Sequence, residues 1–215
     1  MAAGADQLLK TLARHVHDER VLDAIRTVPR DAFVPPELRD DAWENIPLPI
    51  GSDQTISQPL VVARMLELLQ LRGDERVLDV GTGSGYHAAL LARLAAAVWS
   101  IEVHPELSAR AAQVLRGLGV ENVALVVGDG SGGWPEAAPY DAVNVAAAAE
   151  DDVPEALVEQ LGPGGRLVAP VERGDQHLVL VRRTDGDVER TRLERVRFVP
   201  LTSSLSRPAR GGRSA

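Results

Sequence analysis

The chain has 215 residues, 45% of them hydrophobic, a formal net charge of −8 and no cysteine. That length supports one substantial core and is short for two ordinary domains, while the acidic balance repels phosphates and argues against nucleic acid as a partner. Without cysteine, disulfides, thiolate catalysis and cysteine-ligated metals are excluded, which fits a cytoplasmic protein.

Met1 to Arg20 interleaves apolar residues with Asp6, Lys10, Arg14, Asp18 and Glu19, so it does not read as a secretion signal. The apolar runs around Val77 to Val80 and Ala88 to Val98 are interrupted by Gly, Asp, His and Arg before they reach membrane-spanning length. No membrane partner is expected. Leu8, Leu9, Leu12 and Val16, then Val21, Leu22 and Ile25, recur at helical spacing and predict two short helices or one bent one, stopped by Pro29. From Phe33 to Ile50 prolines favour extended or turning backbone, and residues 1–56 read as a cap that closes over a cofactor.

Leu60, Val61, Met65, Leu66 and Leu69 predict an amphipathic helix ending near Gly73. Strands are then expected at Arg76 to Val80, Val98 to Glu102, Val123 to Val127, Asp141 to Val145 and Arg166 to Pro170, with helices over 86–96, 105–117 and 153–161. This alternation predicts a mostly parallel sheet covered by helices on both faces. His177 to Arg182 and Val188 to Val199 flank Thr-Asp-Gly-Asp, which predicts an antiparallel hairpin at the sheet edge. Residues 1–202 are expected to form a single domain, with 57–202 the catalytic core and 203–215 a disordered tail.

The segment Val77-Leu-Asp-Val-Gly-Thr-Gly-Ser-Gly-Tyr86 runs from a strand through Gly81, Gly83 and Gly85 straight into a helix, where a ligand can reach backbone N–H groups at the helix N-terminus. Tyr86 breaks the dinucleotide pattern G-x-G-x-x-G, and Thr82 with Tyr86 breaks the hydrolase pattern G-x-S-x-G around Ser84. A tight turn with no ligand is the bland alternative. Glu102 ends the second strand, where a carboxylate can accept both ribose hydroxyls, and Gly128-Asp129-Gly130 ends the third on the same sheet edge. These three strand ends resemble those of methyltransferases that use S-adenosyl-L-methionine and release S-adenosyl-L-homocysteine. In that class the glycines face the amino-acid part, Glu102 the ribose and Asp129 the adenine.

Four further segments carry a narrower resemblance: Val28-Pro-Arg-Asp-Ala-Phe-Val-Pro35, Pro47-Leu-Pro-Ile-Gly-Ser-Asp-Gln-Thr-Ile-Ser-Gln-Pro59, Gly128-Asp-Gly-Ser-Gly-Gly-Trp-Pro135 and Arg197-Phe-Val-Pro-Leu201. Together, over roughly residues 20–202, they resemble the protein-L-isoaspartate O-methyltransferase family. The resemblance implies a Rossmann-like fold, no metal, and methylation of the α-carboxylate of L-isoaspartyl residues in damaged proteins and peptides, followed by collapse to a succinimide. It implies that Ser57 is the active-site residue and that Gln54, Thr55, Ile56, Val199, Pro200 and Leu201 flank the acceptor. It further implies that Asp79, Gly81, Thr82, Gly83, Ser84, Gly85, Tyr86, Glu102, Val103, His104, Gly128, Asp129 and Gly130 hold the donor in a monomeric enzyme. A carboxylate acceptor is already ionised at neutral pH, so no general base is needed and the missing His–Asp pair is no objection.

Other readings stay open beside this one. Ser57 is as well placed to cap the helix that starts at Gln58-Pro59. A relative dedicated to one peptide, turning an ordinary aspartate into a succinimide, shares the scaffold, and a non-catalytic binding module shares the donor site. Two positions depart from the family pattern: Ala146 stands where Thr is usual and Glu172 where Gly is usual. His15 and His17 point to different faces of a predicted helix, His87 and His104 edge the glycine turn and Glu102, and Glu150-Asp-Asp152 reads as negative charge at a helix N-terminus. Trp43 and Trp134 are candidates for the pocket wall or for the core.

Overall fold

A computed structural model describes residues 2–184 and 186–202. The predicted tail 203–215 lies outside the described residues. The N-terminal part holds α1 (Ala2–Leu12), α2 (Glu19–Thr27) and two short 3-10 turns, then β1 (Leu48–Gly51) paired antiparallel with β2 (Gln54–Ile56). Next come α3 (Pro59–Leu69), β3 (Arg76–Val80), α4 (Tyr86–Leu94), β4 (Ala97–Glu102), α5 (Pro105–Gly117), β5 (Val123–Val127) and β6 (Tyr140–Val145). β7 (Ala149–Glu150), α6 (Glu155–Glu159), β8 (Leu161–Arg173), β9 (Asp175–Arg183) and β10 (Val188–Arg195) complete the chain.

The main sheet has the order β10-β9-β8-β6-β3-β4-β5, with β7 joined to β8. Its pairs from β5 through to β8 are parallel, and β8, β9 and β10 form the antiparallel edge. Val77, Leu78, Val80, Val143 and Val145 are all buried, as strands covered on both faces require. β3 leads on to β4 and β5 on one side, and the chain then crosses back to place β6 on the other. The carboxyl ends of β3, β4 and β6 therefore meet at a topological switch point, where doubly wound sheets bind ligands.

The cap is not a separate layer. One buried cluster joins Leu8, Leu12 and Ile25 of the N-terminal helices and Ile50 and Ile56 of the hairpin to Val77, Leu90 and Leu180 of the sheet and its helices. The hairpin β1–β2 was not expected from the prolines. It turns through Ser52 and Asp53, both at positive φ, the backbone a two-residue hairpin needs. α1 ends before His15 and His17, so these lie after the helix rather than on two of its faces; the His17 N–H donates to Glu67.

Other boundaries moved for non-local reasons. β8 starts five residues early because Leu161 pairs with Tyr140 across a register shift, and β8 and β9 meet in a turn at Gly174, at φ +79°. The predicted 153–161 helix shrinks to Glu155–Glu159, because Glu150 is drawn into β7 against Glu172. The acidic run is therefore not an N-terminal charge for that helix: the Asp152 carboxylate accepts the Val153 N–H, and Arg190 lies 3.8 Å from it.

Because Ile25 is fully buried within the shared cluster, Ile25→Ala is expected to cost about 2–5 kcal/mol. Chemical denaturation monitored by tryptophan fluorescence and by far-UV dichroism should show one coincident, earlier transition; two separated transitions would show that the cap unfolds apart from the sheet.

Candidate active site

The glycine turn between β3 and α4 is a backbone knot more than a row of free donors. The N–H groups of Gly81 and Thr82 both donate to the Ile101 carbonyl, at 2.9 and 3.1 Å, and that of Gly85 donates to the Thr82 carbonyl at 2.8 Å. The Gly83 N–H donates to Glu102 Oε2 at 2.7 Å. These four groups are engaged within the turn, which leaves the N–H groups of Ser84 and of the first turn of α4 as the ones a ligand could meet. The glycines serve conformation and close approach instead: Gly81, Gly83 and Gly85 all have positive φ, and a Cβ on Gly85 would stand 3.0 Å from that of Ala111.

Beneath the turn Asp79 is fully buried. Its carboxylate accepts from Ser100 Oγ at 2.7 Å and from Asn144 Nδ2 at 2.8 Å. Ser100 and Asn144 are its register partners on β4 and β6. Burial pushes the Asp79 carboxyl up to about 6, partly opposed by its two hydrogen bonds and reinforced by the Glu102 charge.

Glu102 ends β4 with its carboxylate fixed by two backbone N–H groups, Gly83 on one oxygen and His104, at 2.9 Å, on the other. Each oxygen keeps capacity for a further donor. Opposite the turn, the hairpin strand β2 delivers Ser57. The structure decides against Ser57 as a helix cap: the cap position of α3 is Gln58, without a side-chain cap, and Asn45 Oδ1 accepts the Leu60 N–H at 3.0 Å instead. Among the described residues the Ser57 hydroxyl makes no hydrogen bond, while its carbonyl accepts from Arg30 at 3.0 Å.

Arg30 carried no weight in the sequence beyond its place in the Val-Pro-Arg segment. It is fully buried, donates to the carbonyls of Ala42, Ile46 and Ser57, and lies over the Tyr86 ring at 5.0 Å. An arginine set among apolar and proline residues was the available signal. The last wall comes from residues 199–201, which leave β10 and return to the carboxyl edge. There Ala148 donates to the Val199 carbonyl at 2.8 Å, and Leu201 donates to that of Ala148 at 2.7 Å.

These pieces form a cleft lined by residues 54–57, 81–84, 102–104 and 199–201, with Tyr86, His87, Gly130 and Ala146. Of the expected site residues, Asp79, Gly85, Gly128 and Asp129 are not in its wall. Asp129 caps the short turn beginning at Gly130, accepting the Ser131 N–H at 2.9 Å, and Gly130 is the residue that reaches the cleft, packed so close to Val80 that a Cβ would meet it at 2.5 Å. Ala146 does line the cleft, whereas Glu172 accepts a hydrogen bond from Gln176 on the exposed edge. Neither Trp43 nor Trp134 lines it.

His87, noted in the sequence only as an edge residue, is a buried wall of the cleft whose Nε2 has no hydrogen-bond partner among the described residues. Burial, reinforced by the Arg30 charge, pushes it down to about 4, so it is neutral at physiological pH.

A doubly wound sheet with a glycine turn and a strand-end glutamate at its switch point defines a Rossmann-like methyltransferase fold. The family described as Protein-L-isoaspartate(D-aspartate) O-methyltransferase matches residues 3–206. A protein-L-isoaspartate O-methyltransferase of Anaeromyxobacter dehalogenans (strain 2CP-C) is 56% identical over 191 residues, covering 87% of this chain and 91% of the relative. One of Methanoculleus marisnigri is 53% identical over 190 residues, covering 88% and 86%. A solved protein-L-isoaspartate O-methyltransferase superposes with a TM-score of 0.84 at 30% identity, over 94% of this chain and 67% of that one. A Plasmodium falciparum protein assigned the same activity, crystallised with S-adenosyl-L-homocysteine, gives 0.80 at 25% identity over 91% and 97%. The chain belongs to the protein-L-isoaspartate O-methyltransferase family.

The two shifted groups act on stability in opposite directions. The raised Asp79 value gives a contribution fully present below its unfolded value near 4 and lost as pH rises through about 6. The lowered His87 value gives one fully present above 6.5 and lost as pH falls through about 4. Each amounts to about 3 kcal/mol across that window, so in the native protein they nearly offset. Urea midpoints measured from pH 4 to 6.5 should rise with pH in Asp79→Asn and fall with pH in His87→Gln; parallel profiles in the two variants would refute the assignment.

Proposed function

We propose that this chain transfers the methyl group of S-adenosyl-L-methionine to the α-carboxylate of L-isoaspartyl residues in damaged proteins and peptides, releasing S-adenosyl-L-homocysteine and a methyl ester that collapses to a succinimide. The observation that carries this is the presence in one cleft of a Ser57 hydroxyl not used as a helix cap and a backbone-fixed Glu102 carboxylate.

The cleft fits such a donor. The Glu102 carboxylate suits a pair of ribose hydroxyls, and Gly81, Gly83 and Gly130 present backbone where side chains would obstruct a flat nucleoside. When bound, S-adenosyl-L-methionine supplies a methyl group on a positively charged sulfur. The protein's task is alignment. Ser57 donates a hydrogen bond to the acceptor carboxylate, and residues 199–201 close the acceptor side, so oxygen approaches carbon in line without water. An aspartyl-type α-carboxylate is ionised at neutral pH, so no residue has to remove a proton. The absence of a hydroxyl at Ala146 leaves orientation to Ser57 and the backbone.

Methyl incorporation into a short isoaspartyl peptide, beside the same peptide with ordinary aspartate, tests the reading. Labelling of the isoaspartyl peptide alone is expected, and Ser57→Ala should lower kcat/KM by roughly ten-fold or more, the worth of a hydrogen bond to a charged group. Donor binding without labelling of any isoaspartyl peptide would overturn it. Glu102→Gln should weaken donor binding by about ten- to hundred-fold in a calorimetric titration, while unchanged affinity would remove Glu102 from the donor site.

A further inference from the structure

Beside the cleft lies a second groove, lined by Pro47, Val61, Arg195, Arg197 and Phe198. It shares Thr55, Ser57, Ala146 and Val199 with the cleft, so the two adjoin at Ser57. Its lining contains no aspartate or glutamate. Arg195 is ion-paired with Asp175. Arg197, by contrast, makes no ion pair or side-chain hydrogen bond among the described residues, and its place is set through the neighbouring backbone: Gln176 accepts the Phe198 N–H at 2.6 Å and donates to the Phe198 carbonyl at 3.2 Å. Arg197 is thus an exposed cation with no ion pair among the described residues, lining a groove that adjoins the candidate acceptor site, in a chain whose net charge is −8.

We propose that this groove receives the acceptor peptide's residues next to the isoaspartate, and that Arg197 selects peptides carrying a carboxylate there. The inference rests on the activity proposed above. Because the groove adjoins Ser57 and an extended peptide advances only about 3.3–3.6 Å per residue, the selected carboxylate belongs to a near neighbour of the methylated residue. The overall negative charge works the other way, since at long range it favours basic peptides. A preference for acidic flanks can therefore come only from a local cation, which makes its dependence on Arg197 diagnostic.

The test compares isoaspartyl peptides with glutamate, glutamine or lysine placed two residues before or two residues after the isoaspartate. With the native protein, glutamate on at least one side should lower KM by roughly two- to five-fold relative to glutamine, as expected for an exposed ion pair. The preference should vanish near 1 M salt, where screening extends only about 3 Å, and Arg197→Glu should invert the ratio so that lysine is favoured. Labelling of all peptides with no charge preference, or a preference that Arg197→Glu leaves unmoved, would overturn the groove assignment while leaving the activity standing. A protein that binds the donor but labels none of the peptides would overturn both.

Discussion

The buried carboxylate of Asp79 ties together the three strands on which the site is built. Through Ser100 and Asn144 it fixes the ends of β4 and β6 against β3, two residues before the backbone turns away through Gly81. Thr82 extends the same bond set to the turn itself, its hydroxyl lying 2.6 Å from that of Ser100. The position of Glu102 follows, since its strand is held in register at Ser100 and its carboxylate is then caught by Gly83. The Asp79 carboxylate sets geometry from within the core, and the carboxylate that lines the cleft, Glu102, stands at the end of the neighbouring strand.

Arg30 does for the Ser57 side of the cleft what Asp79 does for the glycine turn. It collects carbonyls from three separate segments of the N-terminal part, the Ser57 carbonyl among them, and lies over Tyr86 in the first turn of α4. A guanidinium suits this position because it offers several donors in one plane. Burial lowers its proton affinity from the ordinary value to about 10, which still leaves it charged at neutral pH. The two sides of the cleft are therefore braced by separate buried groups.

The parallel core was legible because its strands are buried on both faces and read as apolar runs bounded by glycine. Most strand and helix boundaries there fall within a residue or two of those expected. What escaped the sequence depends on partners far along the chain. Asn45, not Ser57, caps α3; β7 exists only because β8 is beside it; and the hairpin β1–β2 was hidden by prolines that suit extended backbone in any role. The glycine turn and Glu102 were placed correctly on the sheet edge, since strand-end position follows from local pattern. The depth of Asp79 and the inward turn of Asp129 toward its own backbone could not be, because strand-end carboxylates look alike until their neighbours are known.

The shared core of cap and sheet has a consequence for variation in this chain. Leu12, Ile25 and Arg30 lie outside the cleft lining yet are fully buried, so changes there reduce the fraction folded before they alter any reacting group. In a cell, a loss of about 1–2 kcal/mol is enough to change abundance several-fold through proteolysis of unfolded chains. Inherited changes at these buried positions will thus surface chiefly as how much enzyme is present, and a lysate showing weak activity will hold fewer molecules working at the ordinary rate.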